Sequence, residues 1–280
     1  MPVPVALAVL AAALFHASWN AILRMKGDRI QLIALMTAIA GAVAVPFLPV
    51  FGVPHAAAWP WLIASVVLHL GYNTFLVFAY GHGDLGRVYP LARGAAPLFV
   101  LVASFAMGEA VTAGAAIGIV VLAAGIILLA LEGGFRPLWH NPTGAGLALL
   151  TAVFIAGYTV ADGNGARLAG SAHAYTVWLF ALDGVPLIAI ALATSRAAFA
   201  RVAAANWRAS VVAASLSLAA YWIVIWAMTL APIPLVAALR ETSVVFAVLI
   251  GIAFLGERVT PIRILSPLVI LAGLALMRLA

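Results

Sequence analysis

The sequence predicts an all-α integral membrane protein of ten transmembrane helices, arranged as two inverted five-helix repeats. Three observations carry this. Of the 280 residues, 66% are hydrophobic and only 8% charged, with a mean hydropathy of +1.20. A soluble domain is about 25% charged, and no water-soluble fold of this size hides so much apolar surface, so lipid must be the solvent. The apolar stretches recur at the length that crosses a bilayer, about 20 residues. Finally, the chain matches itself at a constant shift of 148 residues.

The spans fall near 4–23, 31–50, 60–80, 87–107, 112–131, 144–162, 173–194, 209–230, 234–255 and 261–279. Turn chemistry separates them: RMKGDR at 24–29, FGVPH at 51–55, EGGFRP at 132–137, DGNG at 162–165 and APIP at 231–234. No connection is long enough to hold a soluble domain. Met1 to Leu23 lacks the basic start of a secretory leader and reads as the first span.

At the 148-residue shift, Gly108-Glu109-x-Val111-Thr112 falls on Gly256-Glu257-x-Val259-Thr260. Trp59 meets Trp207, Val88 meets Val236, Leu91 meets Leu239, and Ala124-Gly125 meets Ala272-Gly273. The repeat units are therefore residues 1–133 and 134–280. Five spans per unit is odd, so the second unit must lie upside down relative to the first, an architecture that recurs in transporters because either side can open at nearly equal energy.

The formal charge of +6 and the pI near 10.3 come from scattered basic residues, which read as topology signals rather than a nucleic-acid surface. Arg24, Lys26, Arg29, Arg136, Arg196, Arg201, Arg208, Arg258 and Arg263 fall on one face, and Arg167 and Arg278 on the other. The positive-inside rule makes the first face cytoplasmic and puts both termini outside. With no cysteine there is neither disulfide nor thiol chemistry. The letters Gly81-x-Gly83-x-x-Gly86 match a dinucleotide fingerprint but join two membrane helices, without the strand that the phosphate geometry requires. Hydrolase elbows, zinc motifs and Walker loops are missing, and the histidines do not cluster. The sequence thus nominates no catalytic residue, no cofactor and no metal, and the protein is expected not to be an enzyme.

An ionised side chain at mid-membrane costs roughly 2.5–3.5 kcal/mol on insertion scales, so each one asks for a partner, a wet cavity or a function. Arg93, Asp183, Arg240 and Glu241 stand out, and Arg240-Glu241 falls opposite Ala92-Arg93 at the repeat shift. Arg93 and Arg240 suit bidentate recognition of a carboxylate or phosphonate-like group. Glu241 or Asp183 then holds a substrate amine or a coupling proton. A buried structural bridge between an arginine and Glu241 is equally consistent, and a bridge that breaks when substrate arrives combines the two. Tyr89 lies one turn before Arg93 on the same face.

Polar and aromatic stripes add His16, Trp19 and Asn20, His69, Asn73 and Tyr80, Tyr158 and Asp162, and Tyr221, Trp222 and Trp226. They should face the bundle interior, where hydrogen bonds can be met. Trp and Tyr near span ends also serve as interfacial anchors, and His16 and Asn20 also fit as helix-to-helix glue. Substrate contacts are therefore expected from Arg93, Arg240, Glu241, Tyr89, His16, Asn20, Trp19, Asn73, His69, Tyr158, Tyr221 and Trp222, and coupling or gating from Glu241, Asp183 and Asp162. Glu109 and Glu257 each precede a threonine by three residues at a span end, which reads as turn structure, with Thr260-Pro261 as N-cap and first helical residue. Gly114-x-x-x-Gly118 reads as a close packing face.

The duplicated ten-span pattern, the glutamate-containing turns, and the strings His16-Ala-Ser-Trp-Asn20 and Tyr89-Pro-Leu-Ala-Arg93-Gly94 together resemble the EamA-like branch of the drug/metabolite transporter superfamily, over essentially the whole chain. The resemblance implies a proton-linked or exchange transporter of amino acids or other small metabolites, in a bacterial inner membrane. It also implies a central cavity between spans 1, 3, 4 and spans 6, 8, 9. The first of the two strings is shared with relatives associated with phosphonate metabolism. The resemblance places both termini in the cytoplasm, against the arginine distribution here.

The leading expectation is a secondary transporter of a small anionic or zwitterionic metabolite, working by alternating access. Its partners are that small molecule and the lipid bilayer, not nucleic acid. With the duplication inside one chain, a monomer is expected, and a dimer remains open. The alternatives are an exporter of cationic drugs, an intramembrane enzyme acting on a lipid-linked substrate, and a non-transporting membrane subunit.

Overall fold

The structure, a computed structural model, describes residues 1–22, 29–83, 85–132, 134 and 142–279. Arg24, Lys26 and Arg136 of the loop charges, Asp84, and most of the predicted turns at 24–29 and 132–137 lie outside the described residues. Among the described residues the helices that build the fold are α1 (Val3–Ile22), α2 (Arg29–Ala44), α3 (Trp59–His82), α4 (Leu85–Ala106), α5 (Ala113–Ala130), α6 (Pro142–Leu168), α7 (Ala172–Met228), the short α8 (Ile233–Arg240), α9 (Ser243–Leu255) and α10 (Pro261–Leu279). Pro46 and Pro49 loosen the end of α2 into a 3₁₀ turn, Val45–Phe47, and one helical turn, Leu48–Phe51.

Nine helical segments among the described residues are long and apolar enough to cross a membrane. Their outer surface is hydrophobic: Phe254 is 82% exposed and Val50 69%. Water would reject such a surface, so this is an integral membrane protein. Inside, alanine and glycine let helices approach closely.

Two predicted boundaries change. The predicted turn at 162–165 does not exist, because α6 continues to Leu168. Its glycines serve packing: a Cβ on Gly163 would lie 2.5 Å from Ile233, and one on Gly165 would lie 2.4 Å from the Tyr175 ring. The stretch 195–208, expected as a connection, is helical within the 57-residue α7. Alanine-rich sequence favours helix there, and Ser195 (φ −165°, ψ 100°) breaks the run while its Oγ accepts from the Ala198 N–H at 3.1 Å. It thus caps a new helix start, dividing α7 into α7a before Ser195 and α7b after it.

The repeated Gly-Glu-x-Val-Thr turns explain themselves. Gly108 (φ 79°) and Gly256 (φ 67°) both take the left-handed conformation that terminates a helix at low cost. Thr112 then accepts from the Ala115 N–H at 3.2 Å, and Thr260 from the Arg263 N–H at 3.3 Å, each capping the next helix. Glu109 accepts from Arg167 at 2.8 Å and from the Ile233 N–H at 3.0 Å. At the opposite end of the bundle, Arg263 pairs with Glu257 at 2.5 Å and Glu132 at 3.0 Å, and Thr260 donates to Glu132 at 2.6 Å.

Glu132 yields a pH prediction. Its partial burial disfavours the charge, but the bonds from Thr260 and Arg263 and the Arg263 charge outweigh it and hold the carboxyl below its ordinary 4.5. A depressed folded-state value stabilises the fold above the unfolded value, and that stability is lost as pH falls through the folded value. Glu132→Gln is therefore expected to lower the thermal midpoint at neutral pH, and the gap to wild type should close as the pH drops below 4.5. A gap that persists unchanged in acid would show that the ion pair contributes nothing.

Candidate functional site

Antiparallel helices leave a cavity of about 160 Å³ between α1, α2, α3, α4, α6, α7 and α8. Sequence and packing place its polar lining. His16 and Asn20 lie one turn apart on α1, as do His69 and Asn73 on α3, so each pair presents one face. Asn20 donates to the His16 carbonyl at 2.8 Å and Asn73 to the His69 carbonyl at 3.0 Å, which fixes both amides against their own helices. Trp19 also lines the cavity and meets His16 edge to face at 5.2 Å.

The aromatic wall is continuous. His69 stacks on Tyr158 with ring centroids 4.0 Å apart, and Tyr221 meets both edge-on. His69 Nδ1 lies 3.1 Å from the Ser65 hydroxyl and 3.0 Å from the Ser65 carbonyl. The guanidinium of Arg240 sits 5.9 Å from the Tyr158 ring centroid and 5.7 Å from that of Tyr221, within cation–π range. Arg93 stands 5.8 Å from the Tyr89 ring.

Both arginines contact the same carboxylate. Arg93 Nε is 2.7 Å from Glu241 Oε2, and an Arg240 terminal nitrogen is 3.5 Å from Oε1. Arg93 also donates to the Ser243 hydroxyl at 3.3 Å. The Arg93–Glu241 contact is one of charge rather than an aligned hydrogen bond, since neither Nε nor Oε2 has a hydrogen-bond partner. All three side chains are at most 5% exposed. The local sum is one positive charge, two guanidiniums against one carboxylate.

The helical hydrogen bonding tightens at this point. α8 ends at Arg240 and α9 begins at Ser243, so Glu241 and Thr242 form a turn inside what sequence predicts as one continuous span. Both residues keep right-handed helical torsions, and the Val244 and Val245 N–H groups donate to the Glu241 and Thr242 carbonyls at 3.0 and 2.9 Å, so the span carries on through one tighter turn.

The structure thus brings Arg93, Arg240, Tyr89, His16, Asn20, Trp19, Asn73, His69, Tyr158, Tyr221 and Asp183 to one cavity. Three of the expected residues lie elsewhere. Glu241 sits behind the arginines, outside the lining. Asp162 is fully buried and accepts from Tyr175 at 3.0 Å and from Tyr221, holding the tyrosine wall from behind. Trp222 donates to His173 at 2.8 Å and packs against Phe47 and Phe51. Tyr72, Thr37 and Ser217 line the cavity without having been singled out. Tyr72 had a usable signal, one turn after His69 and beside Asn73. Among the described residues, no group of three His, Asp or Glu side chains is placed to hold a metal ion.

A crystal structure whose title names no function is similar to this chain with a TM-score of 0.79 and 19% identity, covering 100% of this chain and 98% of the other. That likeness shows the fold. No curated protein matches. The family model described as the EamA-like transporter family matches residues 142–279, which include α6 to α10. Proteins of that family are membrane transporters rather than enzymes, and residues 142–279 of this chain belong to the EamA-like transporter family, within the drug/metabolite transporter superfamily.

Proposed function

We propose that the protein is a ten-span secondary transporter that moves a small anionic or zwitterionic metabolite, amino-acid-like or phosphonate-like, by alternating access through the central cavity, coupled to protons or working by exchange. The observation that carries this proposal is the guanidinium of Arg240 in the wall of an aromatic cavity, beside an arginine that shares one carboxylate with it. Substrate carboxylate competes with Glu241 for Arg93 and Arg240, so binding loosens the bridge between α4 and the α8–α9 turn.

Two facts support ten spans in inverted halves, residues 1–133 and 134–280. At 1.5 Å per residue, α7 is about 85 Å long, too long for one crossing of a bilayer about 30 Å thick, and Ser195 divides it into two. Counterpart helices also pack antiparallel. Gly118 lies against Gly273, and Ser266 donates to the Gly125 carbonyl at 2.6 Å, so the contacts between α5 and α10 run in opposite directions along the two helices. Gly41 against Phe180 and Gly184 against Thr37 do the same for α2 and α7a. In this reading, the Glu109–Arg167 and Glu132–Arg263–Glu257 clusters hold opposite ends of the bundle and exchange roles as gates.

The cavity is complete within one chain, which supports a monomer in the lipid of a bacterial inner membrane. Arg196, Arg201, Arg208, Arg258 and Arg263 on one face favour termini on the outer side. A second candidate, a cation exporter, draws on a different observation, the Asp183 carboxylate in the same lining.

Thermal stabilisation by ligand separates the two, because a molecule that binds only the folded state raises its stability by mass action. Detergent-purified protein is expected to be stabilised by amino acids, aminophosphonates or organic acids, with the shift lost in Arg240→Ala and in Arg93→Ala. Stabilisation by lipophilic cations alone, undiminished in both variants, would overturn the anion clamp.

A further inference from the structure

We infer that the transported molecule is a zwitterion with one carboxylate and one ammonium group, and that Asp183 is the residue that binds its ammonium. This rests on the anion clamp proposed above and deepens it.

Five arginine and carboxylate side chains stand at or beside the cavity: Arg93, Arg240, Glu241, Asp162 and Asp183. Two of the three carboxylates are already answered. Glu241 touches both guanidiniums, and Asp162 accepts from two phenols. Glu241 is therefore a poor amine site, since an ammonium would have to displace an arginine. Asp183 differs. It lines the cavity, no arginine lies within salt-bridge distance of it among the described residues, and its Oδ1 is buried without a hydrogen-bond partner. A buried carboxylate oxygen left unmatched carries a large desolvation cost, which a bound cation relieves.

Position makes this a two-ended site. Asp183 stands on α7a, where Gly184 brings the helix against the backbone of α2: a Cβ there would lie 2.8 Å from the Thr37 carbonyl oxygen. α2 packs chiefly against α7, and among the described residues Asp183 has no arginine within salt-bridge distance, so its carboxylate is not answered by the arginine wall. One wall carries a surplus positive charge, the other an unmatched negative one, and Tyr158, Tyr221 and His69 supply an aromatic side between them. A molecule with a single charge leaves one wall unanswered. A zwitterion answers both. The cavity volume, about 160 Å³, is on the order of one that admits a benzene ring, which suits a small molecule.

The test measures ligand-induced thermal stabilisation of the full chain with the proteinogenic amino acids, then with the deaminated and decarboxylated analogue of each one that binds. Wild type is expected to bind at least one amino acid tenfold or more tightly than either analogue. Asp183→Asn should abolish that preference, leaving amino acid and deaminated acid within about threefold, whereas Asp183→Glu should restore it. Each variant's thermal midpoint without ligand reports its folding, and the Glu rescue identifies charge rather than shape as the cause. Unchanged amino-acid affinity in Asp183→Asn, with binding still lost in Arg240→Ala, overturns the ammonium site and leaves the anion clamp standing. Equal binding of amino acids and deaminated acids by wild type does the same. If no carboxylate binds and amines do, the clamp and the zwitterion fall together.

Discussion

Glu241→Ala is expected to destabilise the purified protein by about 3–5 kcal/mol, the cost of leaving buried charge without its partner. Arg93 is 2% exposed and Arg240 at most 5%, and Glu241 is the carboxylate both touch. Without it, two guanidiniums of like charge face each other in a low-dielectric interior. Most of the penalty falls on Arg93, because its contact with Glu241 is the shorter, 2.7 Å against 3.5 Å for Arg240, and its remaining partners are the Ser243 hydroxyl at 3.3 Å and the Tyr89 ring. The double variant Arg93→Ala/Glu241→Ala should therefore recover much of the loss, and a double-mutant cycle reads the coupling directly. Denaturant titration in mixed micelles is the measurement. A Glu241→Ala protein within about 1 kcal/mol of wild type would mean that the triad is not the uncompensated cluster its burial implies.

Leucine at position 273 is the second large effect expected. A Cβ on Gly273 would lie 2.5 Å from the Leu122 backbone nitrogen and 2.7 Å from the Gly118 carbonyl oxygen. These are backbone atoms, so nothing flexible can yield, and relief requires α5 and α10 to separate. Overpacking of a core costs about 1–3 kcal/mol, and this contact belongs at the upper end or beyond. Gly118→Leu meets the Gly273 carbonyl at 2.7 Å and should behave alike. Gly146→Ala is the control, since nothing lies within 4 Å of its added methyl. It should be neutral or stabilising by about 0.5–1 kcal/mol, the usual preference of a helix for alanine. Thermal midpoints of the three variants decide the matter, and a tolerated Gly273→Leu would dissolve the close packing.

Much of this was legible before any coordinates, for identifiable reasons. Lipid rejects charge, so Arg93 and Arg240 announced themselves against an apolar background. Helix starts were legible where side chains cap backbone, as at Thr260-Pro261. Glycine was the weak sign, because it marks turns and close approaches alike. Gly163 and Gly165 looked like a turn and proved to be contact surfaces for Ile233 and Tyr175. The tight turn at Glu241-Thr242 was hidden, since two residues that leave the α-helical hydrogen-bond pattern carry no hydropathy trace.

Within the site, facing was the hard part. Tyr221 and Trp222 are neighbours about 100° apart on one helix, so adjacency in sequence does not give them one facing. Tyr221 lines it and Trp222 turns to His173. Tyr72 was overlooked beside the more polar Asn73, although both reach the lining.

Ser195 has a mechanical consequence. Where most neighbouring spans are joined by several residues of connecting chain, α7a and α7b meet through one residue with non-helical torsions. Such a joint has no slack for translation. Relative movement of the two rods reduces to rotation about the φ and ψ of Ser195, which makes it a hinge and not a shear. Asp183 and Tyr221 stand on opposite arms of that hinge and line the same cavity, so any change in the hinge angle also changes the width of the cavity.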